Sequence, residues 1–320
     1  MYSEVDIRNK DTGFFIPWKP TSLNAVLFHA KGNPTLVDGV VRMDMSPQLK
    51  DISTGFKIVA SYPETKNLPI IIGESDSEGC AACRMATNPQ NAYRNGTMYS
   101  SYTAASFARK YLLADKYGVN FFGANSWSFE FENQPWFYGF RDLAINGEDK
   151  PVLNVFRMFG KMGGKRVEVQ SDRMTPLPEI VNGSVREEQS KIGALASIDK
   201  KTGGIMIWNY HDLDKQGAAE HIQLSLAGVP ANSVTLTHYI IDKEHRNSYE
   251  VWKKMGSPQN PTTAQIAVLE KSAQLDTVCN PKKCPVKQGI LEVNSSLPLQ
   301  AVSLFKIDWK IMIFSRLCRL

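Results

Sequence analysis

Long apolar runs are missing from this chain. No stretch approaches the roughly 20 residues that a membrane-spanning helix needs, so no membrane partner is expected. Cysteine is scarce, with five among 320 residues, too few for a scaffold built on disulfides. The first residues lack the basic-then-apolar pattern of a secretory leader. Taken as authentic, that start implies a cytoplasmic protein. The triplets that begin at Asn95, Asn182 and Asn294 match the glycosylation pattern, but the pattern carries no meaning without secretion. Charge of one sign is lacking too: 37 Lys and Arg face 32 Asp and Glu, a net of +5. The basic stretches at 161–166 and 282–283 are not interleaved with aromatics, which argues against nucleic acid as a partner. Internal repeats and low-complexity tracts are absent. What remains is 42% hydrophobic and 22% charged, near globular averages.

The cysteines fall as Cys80-x-x-Cys83, Cys279-x-x-x-x-Cys284 and an odd Cys318. A shared zinc site would use the two pairs, but the second spacing is at the loose end of the usual range. Nothing around Cys80-Ala81-Ala82-Cys83 resembles a thioredoxin-like site. Ordinary loop thiols and no metal are the expectation.

Two rhythms divide the chain near Gly164. Before it, strands and helices alternate. Residues 23–29 read as a short buried strand. Ser46-Pro47 opens a helix, with Ser46 as N-cap, and Leu49, Ile52, Phe56 and Val59 line one face. Residues 69–74 form an apolar run that ends abruptly in Glu74, as a doubly buried strand does when it delivers one polar group at its end. A helix over 99–117 stops at Gly118. A strand over 119–129 follows, and Pro151 opens a further helix. Three β-α units in series predict a parallel sheet. His29, Glu74, Trp127 and Glu130 gather at strand C-terminal ends, the active-site face of a (β/α) barrel. Beyond Gly164, strands are predicted at 194–198, 205–210, 221–226, 234–241 and 297–309, with helical insertions at 249–255 and 264–275. That spacing suggests a β-sandwich.

Three stretches carry a resemblance: Phe28-His29-Ala30-Lys31-Gly32, Gly73-Glu74-Ser75-Asp76 and Trp127-Ser128-Phe129-Glu130-Phe131-Glu132. Residues 93–102 and Thr237-His238-Tyr239 extend it. From about 25 to 309 the sequence resembles the family 39 glycoside hydrolases, bacterial xylan 1,4-β-xylosidase type. The resemblance implies a (β/α)8 TIM barrel followed by a β-sandwich. On it, 25–164 would be barrel units six to eight, 165–310 the sandwich, and 1–24 and 311–320 non-matching ends. It implies a retaining β-xylosidase acting on xylo-oligosaccharides or aryl xylosides, without a cofactor. Glu74 takes the place of the nucleophile and His29 that of a substrate-binding histidine. Trp127 would wall the sugar ring. Glu130 or Glu132, on one side of a strand if it extends that far, falls where the family's acidic residues hold substrate hydroxyls, and the resemblance does not choose between the two. Lys31 stands where many members carry tyrosine, and no role is assigned to it.

The family's acid/base is a glutamate after an asparagine, and no Asn-Glu pair occurs in the sequence. A complete barrel takes roughly 250 residues, and three parallel strands cannot close one. A truncated chain, inactive or crippled alone, is therefore the expectation. Its open sheet edges would be surfaces for self-association or for a missing N-terminal half. Two alternatives stand beside it: a non-catalytic, carbohydrate-contacting remnant, and a related glycosidase acting on an α-L-iduronide.

Overall fold

A computed structural model describes residues 25–186, 191–214 and 217–309. The expectations for 1–24, 311–320 and Cys318 lie outside the described residues.

The apolar run Val26–Phe28 forms β1. A hairpin of β2 (Thr35–Val37) and β3 (Val40–Arg42) follows. Helix α1 spans Ser46–Ser61 and buries the expected face of Leu49, Ile52, Phe56 and Val59. Its cap differs from expectation. Met45 is the N-cap, and Ser46 lies inside the helix. The Asp44 carboxylate accepts from the Ser46 N–H at 3.0 Å and from its hydroxyl at 2.7 Å, so an acid just upstream serves the free helix start.

Ile70–Ile72 is β4. Helix α2, Thr97–Tyr117, ends on Gly118 at φ 62, a left-handed cap that suits glycine. β5 is Phe121–Ala124, shorter than the predicted 119–129. Asn125 still donates to Ile72 O at 2.9 Å. Arg141 then draws the chain away: its Nε donates to Trp127 O at 2.7 Å, and its carbonyl accepts from Ser128 N at 3.1 Å. Glu130 and Glu132 therefore lie in a loop, not on a strand. A small hairpin, β6 (Ala144–Ile145) and β7 (Glu148–Asp149), leads into α3, Pro151–Lys161. β1, β4 and β5 form a three-stranded parallel sheet with β4 in the middle.

The remaining strands are β8 (Lys165–Val167), β9 (Lys191–Ile198), β10 (Thr202–Tyr210), β11 (Glu220–Leu226), β12 (Ser233–Ile241), β13 (Lys282–Pro285), β14 (Leu291–Leu297) and β15 (Val302–Asp308). Helices α4 (Leu177–Gly183), α5 (Ser248–Lys254) and α6 (Thr263–Ala273) are inserted among them. Six strands pair antiparallel in the order β13-β12-β15-β10-β9-β8, and β11 pairs with β14. The strand predicted over 297–309 is two pieces in different sheets. Pro298 lacks a donor for the ladder, and the chain crosses over at Gln300, φ 61.

Strand periodicity joins the layers. On β10, Met206, Trp208 and Tyr210 join the core beneath α1, α2 and α3, while Ile205 and Ile207 join the core shared with β11 and β14. On β15, Val302 and Leu304 face the first core and Phe305 and Ile307 the second. The six-stranded sheet is thus apolar on both faces. No helix among the described residues is long and apolar enough to cross a membrane.

Candidate active site

β1 and β4 run parallel in register, Phe28 beside Ile72. Their next residues therefore emerge at the same end, and His29 meets Glu74. Gly73 makes the approach feasible: a Cβ there would lie 2.9 Å from His29 Nε2. His29 Nδ1 stands 3.8 Å from Glu74 Oε1.

Glu74 Oε2 is held by two cations. Lys31 Nζ, from just beyond β1, donates to it in a short contact. Arg141 Nη2 donates to it at 2.9 Å. The Glu74 side chain is 29% exposed, whereas that of Arg141 is wholly buried. Burial acts to raise the Glu74 pKa, but the hydrogen bonds and charges of Lys31 and then Arg141 outweigh it, and the carboxyl titrates below its ordinary range. Glu74 is an ionised, reachable carboxylate at the end of a central strand.

Two more acids follow at alternate positions. Asp76 Oδ2 lies 3.4 Å from Lys31 Nζ and 3.5 Å from Arg141 Nη2, and Asp76 Oδ1 accepts from Ser126 Oγ at 2.5 Å. Glu78 pairs with Arg94 and lies 3.6 Å from Arg141 Nη1. Buried charge of this density is tolerated only when each ion is paired and hydrogen-bonded.

Trp127 stands beside this cluster, half-exposed at 51%. Its N–H points to Asp76 Oδ2 at 3.4 Å, and its peptide to Ser128 is cis. The structure thus brings His29, Glu74 and Trp127 together. It does not bring in Glu130 and Glu132: among the described residues no hydrogen bond or ion pair links either to Glu74. Glu130 Oε1 accepts from Gly147 N at 2.7 Å, and Glu132 is exposed in the turn beyond.

Sequence reasoning missed three residues. Lys31 departs from the family pattern, yet it is a direct partner of Glu74. Asp76 closes the Gly73-Glu74-Ser75-Asp76 stretch, and its alternation with Glu74 and Glu78 is an available signal. Arg141 had none, being distant in sequence.

The cysteine expectation is also corrected. Cys80 and Cys83 are not loop thiols but a disulfide, with Cα atoms 5.4 Å apart, a usual separation for a bridge.

Residues 42–285 match the sequence profile of the Glycosyl hydrolases family 39, a stretch that contains Glu74 and Trp127 but begins after His29 and Lys31. The β-xylosidase of Caldicellulosiruptor saccharolyticus is 28% identical over 160 residues, which cover 50% of this chain and 28% of that protein. The solved GH39 enzyme of Xanthomonas axonopodis pv. citri superposes with a TM-score of 0.66 at 15% identity, covering 90% of this chain and 55% of that one. A monomeric β-xylosidase of Caulobacter crescentus CB15 does so with a TM-score of 0.64 at 16% identity, covering 90% and 56%. The chain thus spans about half the length of these solved proteins, whose likeness supports the fold.

Proposed function

Because the chain belongs to the glycosyl hydrolases of family 39, we propose that it supplies the nucleophile half of a retaining β-xylosidase site, with Glu74 as the nucleophile. One observation carries the reading: a carboxylate at the end of the middle parallel strand is kept ionised by Lys31 and Arg141 and remains partly open to solvent. We read 25–164 as units six to eight of the family's barrel and 165–310 as its β-sandwich.

A retaining glycosidase attacks the anomeric carbon with one carboxylate, while a second, about 5 to 5.5 Å away, protonates the leaving oxygen. Glu74 suits the first role. Its charge is preset by two cations, and the strand end aims it more rigidly than a loop could. The cations also impose a requirement. Lys31 and Arg141 share Oε2, which leaves Oε1, on the His29 side, as the attacking atom. His29 then stands within reach of a sugar hydroxyl, and the Trp127 face offers an apolar wall to the ring. Glu130 and Glu132 lie farther along the loop, Glu130 accepting from Gly147 N, and neither is given a part in this reading. The sequence holds no Asn-Glu pair, and the proton donor is assigned to no residue of this chain. The substrate reading, a terminal β-xylosyl unit, follows the β-xylosidase relatives.

The test bypasses the missing acid. In 2,4-dinitrophenyl 2-deoxy-2-fluoro-β-xyloside the phenolate departs without protonation. Glu74 Oε1 forms a bond to C1 as the C1–O bond breaks, and the electron pair leaves with the phenolate. The fluorine slows hydrolysis of the resulting ester. Intact mass should rise by one fluoroxylosyl unit in the folded chain and stay unchanged in Glu74→Ala. A folded protein that gains no mass, or a Glu74→Ala variant that still does, removes Glu74 from the role.

A further inference from the structure

The Cys80–Cys83 disulfide lies on the segment that continues from Glu74, and two arginines connect it to that carboxylate. Arg94 is fully buried. Its Nη2 donates to Cys80 O at 2.6 Å, and its Nη1 to Ala81 O at 3.2 Å, Cys83 O at 3.0 Å and Gly139 O at 2.9 Å. Asn91 Nδ2 donates to Cys83 O at 2.7 Å. Three of these carbonyls, of Cys80, Ala81 and Cys83, belong to the turn that the bridge closes. Glu78 extends the frame: its Oε2 accepts from Cys80 N at 2.5 Å, and its carboxylate pairs with Arg94.

The second arginine hangs from the same turn. Arg141 N donates to Ala81 O at 2.9 Å, and Arg141 Nη1 donates to Glu78 O. Its Nη2 is the group that holds Glu74. Main chain and side chain of Arg141 are both anchored to 78–81.

We propose that the Cys80–Cys83 disulfide positions the nucleophile through Arg141, and that a dithiol which opens the bridge loosens the clamp on Glu74 reversibly. Cys80 is exposed, so its sulfur is reachable. A thiolate of the dithiol attacks one sulfur, forming a mixed disulfide and releasing the other as a thiolate that takes up a proton. The second thiol of the reagent then displaces the protein sulfur. The protein bridge gains two electrons and two protons, and the dithiol leaves as its own cyclic disulfide. With the turn open, the backbone of 80–83 regains freedom that the bridge denied it, and the anchor of Arg141 moves. The consequence for rate rests on the reading of Glu74 as nucleophile; the consequence for its titration does not.

The test compares the oxidised full chain with the same protein in dithiothreitol. The Glu74 carboxyl is followed by 13C NMR across pH and assigned by Glu74→Gln. Glu74 faces His29 and Lys31 from the end of β1, Asp76 from its own segment, and Arg141. The titration is therefore repeated in His29→Asn, which removes the imidazole whose Nδ1 lies 3.8 Å from Oε1. Reduction should raise the Glu74 pKa, since part of the cationic clamp is lost, and diamide should restore it. Cys80→Ser with Cys83→Ser should behave as the reduced protein and ignore dithiothreitol, which separates the effect from the free thiols Cys279 and Cys284. Arg141→Met should titrate high in both states. Labelling by the fluoroxyloside should slow by about tenfold to a hundredfold on reduction, its acid limb moving to higher pH.

Identical Glu74 titrations in the two states overturn the proposal. So does loss of far-UV circular dichroism on reduction, because the bridge would then hold the fold and not the clamp. An oxidised protein that titrates as expected but never labels overturns the nucleophile reading and leaves the positioning role standing.

Discussion

Around Glu74, Asp76 and Glu78 the protein buries charge against charge. Between the six-stranded sheet and the β11–β14 pair it buries hydrocarbon, with Ile205, Ile207, Leu291, Phe305 and Ile307 at its centre. The two regions solve desolvation differently. An apolar side chain needs only neighbours of suitable size, so alternate positions along each strand suffice. A buried ion needs one partner in one place, and the partner here comes from far along the chain: Lys31 and Arg141 are 43 and 67 residues from Glu74. The first kind of core tolerates change. The second is costly to disturb and is where chemistry can be placed.

The comparison is broken hardest at Arg94. Arg94→Met takes from Glu78 its nearer cation, leaving Arg141 Nη1 at 3.6 Å, and removes the buried guanidinium that the carbonyls of Cys80, Ala81, Cys83 and Gly139 share as a donor. It should cost about 3–5 kcal/mol, read from the urea midpoint. A smaller loss, of the size of a surface pair, would show that the charge cluster is no more demanding than the apolar core.

Acid should separate the regions next. His238 on β12 stacks on Phe305 and contacts Ser303 Oγ through Nε2 at 2.5 Å. Burial first, then the positive charges of Arg246 and His245, depress its pKa from 6.5 to about 4. The unfolded chain takes up a proton near 6.5 that the folded chain refuses, so this contribution is present above pH 6.5 and is lost as pH falls through about 4. His238→Gln should flatten the stability curve in that window, measured as urea midpoint against pH. An unchanged slope would mean that His238 is not the group responsible.

A milder probe of the apolar side is Ile307→Val, expected to cost about 0.5–1.5 kcal/mol and to leave fluoroxyloside labelling unchanged. Slower labelling would show that the hydrocarbon core is coupled to the nucleophile. The smallest effect belongs to the exposed bidentate pair of Arg166 with Asp115, at 2.7 and 3.0 Å, which ties β8 to the end of α2. Arg166→Ala should cost under about 1 kcal/mol, and less still in high salt. A larger loss would make that junction a structural element in its own right.

Much of this was legible beforehand, unevenly. Helix α2 and its Gly118 stop, the Leu49–Ile52–Phe56–Val59 face and the cores of β9, β10 and β12 follow from local pattern, and the structure has them. The misses have two causes. β8, β13 and much of β14 are short or polar, so periodicity is weak there. The overlong strand at 119–129 ends because Arg141 captures Trp127 O and Ser128 N, a competitor invisible from that segment.

By itself the sequence determined which residues face a core, where α2 stops, and that an apolar run delivers Glu74 at its end, because these depend on the side-chain order of neighbouring residues. Only the tertiary structure decided that Lys31 and Arg141 hold Glu74, that His29 stands beside it, and that Cys80 and Cys83 are joined. Those facts are distances between side chains, and most depend on β1, β4 and β5 lying in register and on the 126–143 loop folding back over their ends. No local pattern records that alignment.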